Sequence, residues 1–301
     1  MRAKKVMMRL QEHIKKLVVK ILISCFGNRI ISFEENDSGK VVFIMGMFRS
    51  GTTLTAQVMR GLGFKMGPDW QLLKGVGKRK QLNPNGFYED YLFSALAWYW
   101  MHKLNKTGDD LPKIEEVNGF CLENLPVRDF ILFCEQAYLE ERISYFNKIR
   151  AYVYLIINKE KAFYRDKEVI KVPMLVPFHK QLIDWFPNAK FLIVIRNPDA
   201  TISSSKVLTE KSGIELYNSY YDHLVSGYEE CKEKCTVLSY DILLQKPEES
   251  IKILSKLFGK EYKETKSLID KKLIRNKDKN EWISDQYLFL FKEAVNGLQV
   301  I

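Results

Sequence analysis

Gly46, Gly51, Thr52 and Thr53 stand in the order Gly46-x4-Gly51-Thr52-Thr53, the spacing of a loop that wraps a phosphate. Glycines let the backbone close on an anion, and the open amides at the start of a following helix point at it. A loop of this spacing that handles triphosphates carries a lysine after its second glycine, for the β- and γ-phosphates. Here that position is Thr52, and the positive charge inside the loop comes from Arg49. Further along, the apolar run Phe191 to Ile195 ends in Arg196. A magnesium-dependent enzyme with such a loop often ends that strand in an acid that helps hold the metal. An arginine there seeks an anion. The two stretches predict a phosphorylated ligand gripped at two points, without a metal.

These residues carry a resemblance to a family. Arg49-Ser50-Gly51-Thr52-Thr53-Leu54 resembles the 5′-phosphosulfate loop of sulfotransferases that use 3′-phosphoadenosine-5′-phosphosulfate (PAPS). Arg196-Asn197-Pro198-Asp199-Ala200-Thr201-Ile202-Ser203-Ser204 is similar to their 3′-phosphate motif, in which an arginine and a serine eight residues later hold that phosphate. Leu238-Ser239-Tyr240-Asp241-Ile242-Leu243 resembles the late strand whose tyrosine approaches the adenine. The three motifs follow in order over roughly Val41 to Gly259. The resemblance implies that PAPS is held by Arg49, Ser50, Gly51, Thr52, Thr53, Leu54, Arg196, Ser204 and Tyr240. Ser203 and Ser205 flank Ser204, so which serine meets the phosphate stays open. The alternative reading of Arg196 is a surface ion-pair residue, against which stands the buried strand that delivers it to the sheet's C-terminal edge.

The same resemblance bears on the catalytic groups. Asn83-Pro84-Asn85-Gly86-Phe87-Tyr88-Glu89-Asp90 resembles an Asn-Pro-x-Gly-aromatic-aromatic-Glu motif of bacterial members. Lys171-Val172-Pro173 matches their Lys-x-Pro, where cytosolic members carry Lys-Thr-His with a catalytic histidine. This implies Glu89 as the general base, with Lys171 and Arg49 acting on the transferred group or its leaving oxygen. Asp90 and His179 are the alternative bases, and Glu89 can also be read as a charge favoured at a helix N-terminus. The implied reaction moves a sulfuryl group to a hydroxyl of a glycan or other small-molecule or lipid-linked saccharide. A P-loop nucleotide or small-molecule kinase, and an inactive nucleotide-binding relative, are the other readings.

Positioning these groups requires a sheet. Val41 to Met45, Glu168 to Val172, Lys190 to Ile195 and Thr236 to Ser239 read as strands. Helical spacing of apolar residues runs from Thr52 to Leu62, Tyr91 to Met101, Val127 to Ile149, Phe178 to Phe186 and Pro247 to Phe258. Alternation of this kind predicts an α/β fold, a P-loop-type mostly parallel β-sheet flanked by helices. Residues 41–301 read as one domain, with a helical insert over about 70–165 shaping the acceptor pocket and a basic helical segment over 1–40 ahead of it.

The chain has 301 residues, enough for a large core, and its 47 basic against 37 acidic side chains leave +10, which suits anionic ligands. No nucleic-acid partner is expected, and the oligomeric state stays open. Five cysteines, odd in number and scattered, predict a reducing, cytoplasmic setting rather than a disulfide framework. Cys231 and Cys235 read as neighbours on a helix rather than as zinc ligands. Ile14 to Phe26 is apolar but interrupted by Lys15, Lys16 and Lys20, too short and too charged to span a bilayer. No cleavage site follows it, so a secretory signal is not expected. Packing on the domain is its favoured reading, and lying on a membrane surface is the alternative. Gly67 to Gly86, with Lys74, Lys78, Arg79 and Lys80, reads as a loop-rich basic stretch, and Lys271 to Lys279 reads first as a solvated face, with helping to hold the 3′-phosphate as the alternative.

Overall fold

A strand built from Val41-Val42-Phe43-Ile44-Met45 has no polar face, so it must be covered on both sides. The computed structural model describes residues 17–28, 30–32, 41–73, 86–120, 124–139, 167–206, 213–261, 269 and 284–299. Lys74 to Asn85, Cys121, the reach of the Val127 helix beyond 139, and Lys271 to Lys279 lie outside them.

In chain order the described elements begin with α1 (17–26), β1 (Ile30–Ser32), β2 (Val42–Met45), α2 (Thr52–Gly61) and α3 (Tyr91–Lys103). Next come α4 (Ile114–Asn118), β3 (Asn124–Pro126), α5 (Val127–Leu139), β4 (Val169–Lys171), α6 (His179–Trp185) and β5 (Lys190–Ile195). The chain continues with α7 (Pro198–Ser205), α8 (Ile214–Glu230), β6 (Cys235–Ser239), α9 (Tyr240–Gln245), α10 (Pro247–Leu257) and α11 (Asp285–Gln299).

Two compact units result, one formed by Met1–Glu34 with Leu122–Tyr164, the other by Glu35–Cys121 with Arg165–Ile301. In the first, β1 and β3 pair antiparallel, with Ile31 opposite Leu125. The second holds a four-stranded sheet in the order β4-β2-β5-β6, every pair parallel. The second strand of this series, β4, lies on one side of β2, and the third and fourth, β5 and β6, lie on the other. Connections therefore leave β2 and β5 in opposite directions and open a crevice at their C-terminal ends, where such sheets bind ligands.

Alternation along the strands explains the fully apolar runs. Val42, Ile44, Leu192, Val194 and Leu238 face Ala56, Val58 and Met59 of α2 and Ile251 and Leu254 of α10 in one buried cluster. On β2, Phe43 meets Phe93 of α3 at 6.0 Å, Phe186 at 5.3 Å and Phe191 of β5 at 5.8 Å. The aromatics of α3 are thus largely core: Trp100 packs against Trp185 at 5.0 Å and Phe178 at 5.1 Å. One expectation is corrected here. Cys231 and Cys235 do not share a helix, because Cys231 closes α8, a 3-10 turn covers Lys232–Lys234, and Cys235 opens β6. Their sulfurs remain 3.5 Å apart as free thiols.

Candidate functional site

The loop after β2 is shaped by its glycines. Gly46 has φ +155°, and a Cβ there would stand 2.6 Å from the Val194 carbonyl oxygen. Gly51 has φ +100°, and a Cβ would fall 2.1 Å from the Tyr240 ring. Only glycine fits either place. Ser50 is fully buried and donates to the Met47 carbonyl at 2.7 Å, so its hydroxyl braces the turn from within. Gly51 is the N-cap of α2 and no side chain caps that first turn, which contains no acid. A helix start of this kind presents its amides and the positive end of its dipole to an anion.

Register then determines what stands beside the loop. Ile195 of β5 pairs with Ser239 of β6, so the next residues, Arg196 and Tyr240, emerge side by side. The Arg196 guanidinium lies over the Tyr240 ring, 4.9 Å from its centroid. It also donates from Nη1 to the Arg49 carbonyl at 3.2 Å. Arg196 is 9% exposed, and its buried Nε has no hydrogen-bond partner among the described residues. A buried cationic N–H lacking an acceptor is costly unless an anion completes it. Arg49, at φ +71°, donates from Nε to Ser204 Oγ at 2.9 Å. Of the three neighbouring serines, Ser204 is the one that meets the loop. Ser205 is fully buried and donates to Ile202 within α7, and Ser203 is exposed.

Residues that the sequence did not single out hold this arrangement. Tyr221 of α8 is fully buried, donates to the Arg196 carbonyl at 3.2 Å and accepts from the Arg196 amide at 3.3 Å. Asp241 accepts from the Asn197 amide at 2.9 Å, joining the starts of α7 and α9. The available signal was Tyr217, Tyr220 and Tyr221 at helical spacing, three aromatics on one face of α8.

On the other side of β2, Lys171 ends β4. Its Nζ donates to Glu89 Oε1 at 2.8 Å, the Phe87 carbonyl at 3.1 Å and Thr53 Oγ1 at 3.4 Å. One buried ammonium thus connects Glu89 with the first turn of α2. Glu89 keeps partial exposure, 21% against 2% for Lys171. The adjacent acid goes elsewhere. Asp90 accepts from the Phe93 amide as the N-cap of α3 and forms a fully buried pair with Lys167. His179 pairs with Glu230 at 2.9 Å, and burial holds its pKa below the ordinary histidine value.

Tyr220 completes the surroundings. Its ring meets Phe48 of the loop edge-on at 5.7 Å, and its buried hydroxyl has no hydrogen-bond partner among the described residues. Burial, with Glu89 and Asp109 adding their negative charge, pushes this phenol up, so it remains a neutral donor. Among the described residues no cluster of His, Cys, Asp or Glu has the makings of a metal site.

Residues 41–264 match the sulfotransferase family, and the chain belongs to it. Two solved structures are similar to the chain at low identity. Sulfotransferase STF1 from Mycobacterium tuberculosis H37Rv shares 12% identity, with 87% of this chain and 75% of that one covered, at a TM-score of 0.34. Sulfotransferase STF9 from Mycobacterium avium shares 13%, covering 88% and 75%, at a TM-score of 0.39. No curated protein matches the chain.

Proposed function

We propose that this sulfotransferase takes its sulfuryl group from PAPS and passes it to an acceptor hydroxyl, with Glu89 as general base. The observation that carries this reading is the convergence, in one crevice, of an uncapped helix start, two linked arginines and a ring. Arg196, with an orphaned Nε and Tyr240 stacked below it, fits a 3′-phosphate attached to a nucleoside. Arg49 and the amides of the Gly51–Thr53 turn fit a 5′-phosphosulfate.

The chain's residues then divide the work. Glu89 takes the proton as the acceptor oxygen bonds to sulfur, while the bond from sulfur to the bridging phosphate oxygen breaks. Negative charge collects on that bridging oxygen. Arg49, Lys171 and the turn amides are fixed beforehand around it, and each such donor is typically worth about 10²- to 10³-fold in rate. Proton removal by a positioned carboxylate adds about 10²- to 10⁴-fold. No metal is needed in this scheme, because fixed cations take the role that magnesium plays in phosphoryl transfer.

A glycan or lipid-linked saccharide hydroxyl is the proposed acceptor class. The proposed place of action is the cytoplasm. Calorimetric titration of adenosine 3′,5′-bisphosphate tests the donor site: wild type binds and Arg196→Ala binds more weakly. Equal affinity for both, or none, removes the assignment. Magnesium-dependent binding of ATP in preference to the bisphosphate would favour a kinase.

A further inference from the structure

We propose that α1 seats this protein on an anionic membrane surface. Leu17, Val18 and Ile21 are 58%, 40% and 52% exposed. Leu17 and Ile21 are one helical turn apart and Val18 adjoins them, so the three make one apolar stripe. Leu22, Ile23 and Phe26 of the same helix are half-buried, which leaves the stripe as the helix's outward side.

Charge in the sequence says what covers it. The first twenty residues hold Arg2, Lys4, Lys5, Arg9, Lys15, Lys16 and Lys20 against Glu12 alone, a net +6 out of the chain's +10. The covering surface must therefore be apolar inside and negative at its rim. An anionic bilayer supplies both at once: acyl chains take the aliphatic side chains, and headgroups pair with the lysines. Lys20 is exposed beside Ile21, and its alkyl stem can lie along the stripe with the ammonium at headgroup level. No helix among the described residues is long and apolar enough to cross a membrane. This inference is independent of the donor and acceptor assignments.

Co-sedimentation of the full chain with phosphatidylcholine vesicles, with and without phosphatidylglycerol, tests it. Wild type should pellet with the phosphatidylglycerol vesicles, less so as salt rises, and poorly with phosphatidylcholine alone. Leu17→Gln/Ile21→Gln should lose at least about tenfold in vesicle affinity, with unchanged circular dichroism. Lys15→Gln/Lys16→Gln/Lys20→Gln should lose the preference for phosphatidylglycerol, which keeps the test decisive should the first variant misfold. Retained binding by a folded Leu17→Gln/Ile21→Gln would mean general adhesion of a basic protein and would overturn the proposal. So would a wild type that ignores vesicles, or an oligomer that the same variant dissolves, since a second copy would then cover the stripe.

Discussion

Arg196 donates from Nη1 to the main-chain carbonyl of Arg49, 147 positions earlier in the chain, at 3.2 Å. The β5 arginine and the β2 loop are thereby one hydrogen-bonded unit, and Arg49 closes the circuit by reaching Ser204 on α7. Disturbing either arginine disturbs both halves of the proposed anion site.

Removing the guanidinium takes away charge-assisted hydrogen bonds of about 1.5–3 kcal/mol. Arg196→Ala should therefore bind adenosine 3′,5′-bisphosphate roughly 10- to 100-fold more weakly by calorimetry. Arg196→Lys should recover only part of this, because an ammonium makes neither the paired contact nor the flat stack on Tyr240.

Glu89 is tested best by Glu89→Gln, which keeps the shape beside Lys171 and removes the proton acceptor. Labelled-sulfate transfer should drop about 10²- to 10⁴-fold, while bisphosphate affinity stays within a few-fold of wild type. Turnover at the wild-type level would remove Glu89 as base.

Tyr220→Phe deletes a buried hydroxyl that has no hydrogen-bond partner among the described residues. Its desolvation is uncompensated, so the variant should melt at the same or a higher temperature than wild type. If the hydroxyl meets the acceptor beside Glu89, transfer falls while bisphosphate affinity does not. A lowered melting temperature would show that the hydroxyl has a structural partner.

Asp90 and Lys167 are 2% and 1% exposed, and each neutralises the other. Asp90→Ala takes the paired carboxylate from a buried ammonium and also uncaps α3, which should cost about 3–5 kcal/mol in denaturant unfolding. Asp90→Ala/Lys167→Met should recover much of that loss. No recovery in the double variant would show that the pair is not the source.

Two buried histidines determine a pH response. Burial holds both His179 and His223 below the ordinary value of 6.5, although Glu230 pulls His179 back upward. His223 donates from Nε2 to the Pro112 carbonyl at 2.7 Å, and its Nδ1 is buried without a partner, so a second proton has nowhere to be solvated. The folded state then binds fewer protons than the unfolded one below about pH 6.5. Their contribution is complete above that pH and is lost as pH falls. The free energy of unfolding should fall between about pH 7 and pH 5.5, by up to about 1.4 kcal/mol per pH unit per histidine, and the melting temperature should fall with it. A flat profile over that interval would contradict the assignment.

Much of the frame was legible in the sequence because it is locally determined. The loop Gly46 to Thr53 is written in its glycine spacing. Pro198 and Asn197 likewise announce the start of α7. Contacts between distant segments were not legible. Glu89 and Asp90 are adjacent acids with nothing local to separate them, yet one meets Lys171 at the crevice and the other is buried against Lys167. Tyr220 and Tyr221 are adjacent too, and only helix packing sends one hydroxyl to Arg196 and leaves the other without a partner near Glu89. The sequence by itself therefore determined the chemistry available: two arginines, a glycine loop, a tyrosine and a pair of acids. Tertiary structure decided which of them meet, because strand register and the packing of α8 bring together residues that the chain keeps far apart.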